Sequence, residues 1–239
     1  MDRSAHATGI ETNLFLKLLP ARLYKEIQSS IKVLPLPAKT RIYEAGQRVE
    51  TIYFPQSGFI SIVVPLANGT AVESSTVGTE GFVGLAAYLG RGKTLSGAVA
   101  QSDGFSHTLP VKVFLDLVEK HEPLRVKIHN YTQLILESIA QSSACNRFHS
   151  INQRCARWLL ICEDRVRSKT FDLTQEYLAE MIGVRRPGVT VAARGLKEAG
   201  LIKYSRGRVE ILDRRGLEKA ACECYRRIRD RELELLGNR

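Results

Sequence analysis

The chain predicts an α+β fold with its parts in series: a sandwich or jelly-roll barrel of short strands, a long helix, and a helix-turn-helix closed by a β-hairpin. Three observations predict it. Between residues 32 and 110, short runs rich in Val, Ile and Phe alternate with glycine-containing turns, the texture of an all-β unit. From Pro123 to about Phe148, apolar residues recur every three or four positions, which describes one long amphipathic helix of about seven turns. Between Asp172 and Gly200, two shorter amphipathic segments flank Gly183, and strand-forming residues follow at once.

The elements follow in order. Residues 1–12 are polar and are expected to be mobile. Leu14 to Leu19, then Pro20 and Ala21 to Ile31, suggest one or two short helices packed on the domain that follows. Strands are expected at Thr40–Tyr43, Thr51–Phe54, Phe59–Pro65, Ala71–Val77, Leu95–Ala100 and Phe105–Leu109, with Asn68-Gly69 as a hairpin turn. Val111 to Lys120 reads as a short helix. The long helix carries the stripe Leu124, Ile128, Tyr131, Ile135 and Ile139, continued by Ser142 and Cys145. That spacing fits a coiled-coil seam, or a helix lying on its own barrel. The length favours dimerisation, because a barrel cannot cover the whole helix. Ser150 to Arg167 is a further amphipathic helix through Ile151, Cys155, Trp158, Leu159 and Cys162.

In the next stretch Thr174 can cap a helix whose apolar face is Tyr177, Leu178, Met181 and Ile182. Gly183 supplies the positive φ that the turn needs. A second helix from near Arg185 turns Val189, Ala192, Ala193 and Leu196 inward, and Arg185, Arg186, Thr190 and Arg194 outward. Taken alone, the pair is equally an ordinary helical hairpin. Three features point to DNA instead. The arginines cluster at the N-terminal end of the second helix, where base contacts are made. Their repulsion with the positive end of the helix dipole is relieved by a bound anion. Leu201–Tyr204, Ser205–Arg208 and Val209–Leu212 then read as strand, turn, strand, a wing with a basic tip. Charge agrees: from Ser150 onward there are 20 Lys/Arg against 13 Asp/Glu, and before it 15 against 12, so most of the net +10 lies in the C-terminal third.

Other function classes find little support. There is no Ser/His/Asp or Cys/His arrangement, phosphate-binding glycine loop or metal-ligand cluster, so no enzyme is expected. The tail from Arg226 to Arg231 with Glu232 and Glu234 reads as a solvated helix of mixed charge. Five cysteines without a dense framework (Cys145, Cys155, Cys162, Cys222, Cys224) suit a reducing compartment. Cys222 and Cys224 are one residue apart, too tight for a usual zinc knuckle with no second pair nearby, so no metal and no cofactor are expected. Neither a signal peptide nor an apolar run of about 18 residues is present, which predicts a soluble, cytoplasmic protein with no membrane partner.

From about Phe15 to Leu212 the chain resembles the Crp/Fnr family of bacterial transcription regulators. The resemblance lies in the order of parts and in Tyr53-Phe54-Pro55-Gln56-Ser57-Gly58-Phe59-Ile60, Gly81-Phe82-Val83-Gly84-Leu85, Leu173-Thr174-Gln175-Glu176 and Ile182-Gly183-Val184-Arg185-Arg186. It implies a cyclic-nucleotide-binding-like jelly-roll β-barrel, a long dimerisation helix and a C-terminal winged helix-turn-helix. The corresponding parts are 1–122, 123–149 and 150–239. It implies double-stranded DNA, a second copy of the chain and RNA polymerase as partners, with activation favoured and a roughly palindromic operator. The dimer interface would be Leu124, Ile128, Tyr131, Ile135, Ile139 and Ser142.

Placing Gly84 on the family glycine of the nucleotide pocket puts Leu85 where a glutamate meets the ribose. It also puts Leu95 and Ser96 where an Arg-Ser pair meets the phosphate. Leucine can neither neutralise a phosphate nor bond a hydroxyl, so cyclic AMP or cyclic GMP is not expected to bind. Arg91 and Lys93 read as a solvated loop tip, with a rearranged anion pocket as the alternative. No cysteine precedes Cys145, which excludes the family's N-terminal iron–sulfur type. His107 is the one strand-region histidine, better read as a structural residue than as a haem ligand. The alternative function is an allosteric sensor whose barrel binds an unidentified small molecule or which responds to redox through cysteine. In the DNA-binding motif Arg186 takes the place of the family's base-reading arginine, while Pro187 and Val191 replace two of its later readers. Arg185 and Thr190 would contact base or phosphate, Val191 a thymine methyl, and Arg194, Lys203, Arg206 and Arg208 phosphates. Thr174 and Gln175 belong to the same motif.

Overall fold

The computed structural model describes residues 13–67, 69–90 and 92–236. The segment 1–12 expected to be mobile, the hairpin residue Asn68 and the loop cation Arg91 lie outside the described residues. The chain opens with α1 (Leu14–Lys17) and α2 (Ala21–Gln28). Asn13 fixes them to the strands: its carbonyl accepts the Leu16 N–H at 3.1 Å and its amide donates to Pro55 and Gly81 carbonyls at 2.9 Å. Phe15 then joins Phe54, Phe82, Phe114 and Tyr131 in one aromatic core.

The strands are β1 (Lys32–Leu36), β2 (Arg41–Tyr43), β3 (Thr51–Ser57), β4 (Ile60–Pro65), β5 (Ala71–Val77), β6 (Gly97–Ala100) and β7 (Gly104–Pro110), with helix α3 (Leu85–Leu89) before β6. They form two antiparallel sheets, ordered β1-β7-β3 and β2-β6-β4-β5. Leu36 of the first sheet packs with Ile60, Val77, Ala98 and Ala100 of the second. Two elements were not expected. β1 contains Pro35 and pairs only with β7, as an edge strand tolerates proline. Helix α3 has five residues, too few for a periodic pattern.

Helix α4 (Val111–Lys120) leads into α5 (Glu122–Phe148). The chain bends at His149 and Ser150, and α6 (Ile151–Val166) starts with a capping box between Ser150 and Gln153. Helix α5 corrects the expected seam. Leu124, Ile128 and Tyr131 are buried in the protomer's own core, where Tyr131 donates to the Phe82 carbonyl at 2.9 Å. Ile135 packs on the rim of the same core. The stripe therefore covers the strands. Close approach requires Gly81 there: a Cβ would stand 2.3 Å from the Tyr131 ring. The opposite face of α5 is open, with Val126 49% and Leu136 62% exposed.

The rest comprises β8 (Thr170–Asp172), α7 (Gln175–Met181), α8 (Arg186–Glu198), β9 (Ile202–Ser205), β10 (Arg208–Ile211), α9 (Arg214–Ala220) and α10 (Cys224–Leu236). The strands form one sheet in the order β8-β10-β9. Helix α10 corrects the expectation of a solvated tail. Among its charges Cys224, Tyr225, Ile228, Leu235 and Leu236 fall at helical spacing, and that face packs on α5. Arg231 pairs with Glu137 at 2.6 Å, and Glu232 with Arg165 at 3.0 Å.

Candidate nucleic-acid interface

The helix-turn-helix is fixed by local chemistry. Thr174 accepts the Tyr177 N–H at 3.2 Å, the side-chain cap its position calls for. Gly183 takes φ +63°, and the buried Arg154 of α6 donates to the Ile182 carbonyl, which the end of α7 leaves without a helical donor. Arg185 is the N-cap of α8 and Arg186 its first residue; Pro187 stands next, where its missing N–H costs nothing. Val189, Ala192, Ala193 and Leu196 are buried against α6 and α7.

Arg185, Arg186, Thr190, Val191 and Arg194 all face solvent. Arg185 and Arg186 crown the positive end of α8 with no acid in its first turn. Thr190 donates to Gln175 at 2.8 Å and to the Arg186 carbonyl at 3.1 Å, so Gln175 and Thr190 tie the two helices together. Arg194 has only an exposed partner, Glu198, at 3.9 Å.

The wing turns at Arg206 (φ +50°) and Gly207 (φ +76°), a two-residue hairpin with both φ positive. Lys203, Arg206 and Arg208 are exposed on it. It is fastened to the start of α7: the Leu173 N–H donates to the Gly207 carbonyl at 2.6 Å, and the Tyr204 hydroxyl to the Leu173 carbonyl at 2.9 Å. This brings the wing tip beside Thr174, although 32 residues separate Thr174 from Arg206. Strand β8, which pairs with β10 and completes the sheet, was not foreseen; a three-residue strand carries no alternation to read.

The expected effector positions do not converge on a pocket. Leu95 is 87% exposed. Gly84 holds φ +118° against Ile52, and Leu85 begins α3 on the rim of the apolar core. The Ser96 N–H is used by Thr94 at 3.1 Å. A cavity of about 430 Å³ lies elsewhere, between β5, α5, α6 and α10, and none of the four residues lines it. Several of its polar groups engage one another. Trp158 donates to Glu73 at 2.9 Å, with Ser61 also donating to that carboxylate. Burial pushes the Glu73 carboxyl up to about 7, against those two hydrogen bonds. Arg165 sits between Glu80 at 2.7 Å and Glu232 at 3.0 Å; burial pushes Glu80 up against the pull of Arg165. These contacts also join the strand unit to α6, as does the Phe59–Trp158 ring pair at 6.4 Å.

His107 is buried in β7 beside Gln56. Burial pushes the Cys155 thiol up to about 12 and raises Cys162 as well, as suits inert core residues. Cys222 and Cys224 do have a second pair beside them: Cys145 and His149, from the far end of α5. A separation of 77 residues between Cys145 and Cys222 hid that neighbourhood from the sequence.

Residues 33–121 match the cyclic nucleotide-binding domain family, and residues 153–220 the Crp-like helix-turn-helix domain family. Together the matches span about two thirds of the chain. No curated protein matches it significantly. Several solved structures share the fold. The c-di-GMP-responsive global regulator CLP of Xanthomonas campestris is 14% identical, with a TM-score of 0.66 over 80% of this chain and 99% of that one. FixK2 of Bradyrhizobium japonicum is 14% identical, with a TM-score of 0.65 over 80% and 98%. A CRP-family transcriptional regulator of Thermus thermophilus is 21% identical, with a TM-score of 0.63 over 79% and 96%. No described helix is long and apolar enough to cross a membrane. A strand unit of the nucleotide-binding type, followed by a winged helix-turn-helix of the Crp type with an uncovered cationic helix end, places the chain in the Crp/Fnr family of DNA-binding transcription regulators.

Proposed function

We propose that the protein is a cytoplasmic homodimer that reads a roughly palindromic operator with Arg186 and activates transcription through RNA polymerase. The observation that carries the reading is the uncovered N-terminus of α8, where Arg185 and Arg186 stand exposed with no acidic partner in the first turn. A guanidinium there can donate to guanine O6 and N7 together, which is worth about 1–3 kcal/mol of base discrimination. Val191 is exposed about one and a half turns along the same helix and offers a methyl surface to thymine. Arg194, Lys203, Arg206 and Arg208 supply phosphate contacts that set position and salt dependence. Gln175 and Thr190, already bonded to each other, act by holding the helix pair in register.

The dimer is supported by the face of α5 turned away from the strands. Val126, His129, Gln133, Leu136, Ala140 and Ser143 are exposed there at alternating spacings of three and four, the geometry of a two-stranded seam. This replaces a seam through Leu124, Ile128 and Tyr131, which the protomer itself covers. Ile139 and Ser142 border the open face. Division into 1–122, 123–149 and 150–239 follows these roles, with α10 returning to the middle part. The leucines at 85 and 95 support a regulator that does not answer to cyclic AMP.

The test is a mobility-shift titration at fixed salt on the selected operator and on random DNA. Arg186→Ala should weaken operator binding by about 5–150-fold, as 1–3 kcal/mol implies, with a much smaller loss on random DNA. Equal losses on both would remove Arg186 from base reading.

A further inference from the structure

Cys145, His149, Cys222 and Cys224 form the one group of metal-ligand side chains among the described residues whose donor atoms all lie within 4.8 Å of one another. Cys145 Sγ is 3.5 Å from Cys222 Sγ, and Cys224 Sγ is 3.4 Å from His149 Nδ1. A tetrahedron with zinc–sulfur bonds of about 2.3 Å and zinc–nitrogen bonds of about 2.0 Å has edges near these lengths. A four-iron cluster needs its thiolates spread around a larger body, and about four of them. We propose that these residues form a Cys₃His site for a single zinc(II) ion.

The local sequence builds the site from two directions. Cys145 and His149 are four residues apart at the end of α5, one above the other on the same face. Cys222 and Cys224 flank Glu223 where α9 gives way to α10, and Cys224 opens that helix. The surroundings are those a metal site needs. His149 Nε2 lies 3.3 Å from the Glu223 carboxylate, which holds the ring proton on that nitrogen and leaves the Nδ1 lone pair facing Cys224. Gln141 donates to Cys224 Sγ at 3.0 Å. The three buried sulfurs form a cluster of their own, apart from the three apolar cores. Thiols serving as small hydrophobes would instead merge into a core, as Cys155 and Cys162 do.

Zinc at this point would pin the end of α5 to the start of α10, beside the bend at His149 and Ser150. The site does not depend on which DNA the protein reads, so the operator assay and the metal assay fail separately.

The test is titration of the reduced full-length protein with cobalt(II), then zinc(II). The expected result is a tetrahedral cobalt spectrum with sulfur charge-transfer bands, saturating at one equivalent and bleached by one equivalent of zinc. Glu223→Ala should weaken binding by about 10–100-fold through loss of the histidine's orienting partner. Cys224→Ser and His149→Ala should weaken it further, while Cys155→Ser leaves it unchanged. An octahedral cobalt spectrum from the wild-type protein would overturn the proposal, and needs no variant to fold. So would equal affinity in wild type and Cys224→Ser, or recovery of Cys145 and Cys222 as a disulfide from protein kept under thiol reductant.

Discussion

Replacing Glu73 by Gln should remove a pH dependence that the wild-type fold carries between its strand unit and α6. Glu73 accepts hydrogen bonds from Trp158 and Ser61, and burial holds its carboxyl at about 7 against an ordinary value of 4.5. Between those values the folded chain binds more protons than the unfolded one. This contribution is therefore fully present below about 4.5 and is lost as pH climbs through about 7. The full displacement would correspond to about 3 kcal/mol. Glu73 is only half-buried by accessible surface, so about 2 kcal/mol is the working figure. Gln keeps an acceptor for the Trp158 N–H and cannot ionise. The variant should match wild type near pH 4.5 and exceed it by about 2 kcal/mol at pH 8. Urea unfolding at the two pH values measures this, followed by fluorescence of the single tryptophan, which donates to Glu73. Glu80 slopes the same way in both proteins and cancels from the difference. A gap between the proteins that stays constant with pH, or widens toward acid, would refute the reasoning.

Leu136→Asp should turn a dimer into a folded monomer in sedimentation velocity, because Leu136 is 62% exposed in the protomer. Leu124→Ala should do the reverse, keeping the seam and costing about 2–5 kcal/mol of stability from a filled core. Gly81→Ala should cost about 1–3 kcal/mol or more by chemical unfolding, since its Cβ would press on the Tyr131 ring. Cyclic AMP at millimolar concentration should leave the melting temperature unmoved, as Leu85 and Leu95 offer no group to ribose or phosphate; a clear rise would reopen the pocket.

The helix-turn-helix was legible because each of its signals is local. Thr174, Gly183 and the spacing of Val189, Ala192, Ala193 and Leu196 act within a few residues of themselves, and the fold uses each one as its position predicts. Helix α5 was legible as a helix and misread as a surface. Periodicity identifies an apolar stripe but not what covers it. Here Leu124, Ile128 and Tyr131 meet aromatic rings from α1, β3 and α4, while a second, weaker stripe through Val126 and Leu136 stays open. Helix α10 was masked by its own charges: two of its arginines meet acids of distant elements, Arg229 with Asp164 and Arg231 with Glu137, so ionic residues lie on a packed face. The effector positions are a different case. Matching positions to a motif assumes that backbones superpose, whereas Leu95 of this chain lies in solvent. The Cys145–Cys222 neighbourhood depends on two chain segments meeting in space, which no spacing rule encodes.

The return of α10 has a mechanical consequence. A reading head joined to its support by one bend at His149 and Ser150 would swing as on a single pivot, and would surrender that swing whenever DNA held it still. Here the head stands on three feet: the bend, the Trp158–Glu73 and Arg165–Glu80 contacts with the strands, and the strut of α10 along α5. Three feet fix an orientation, so little rotational freedom is left to lose when the grooves are engaged. Such a mount tolerates few spacings between half-sites, and inserting one or two base pairs at the operator centre should cost it more than it would a freely pivoting head.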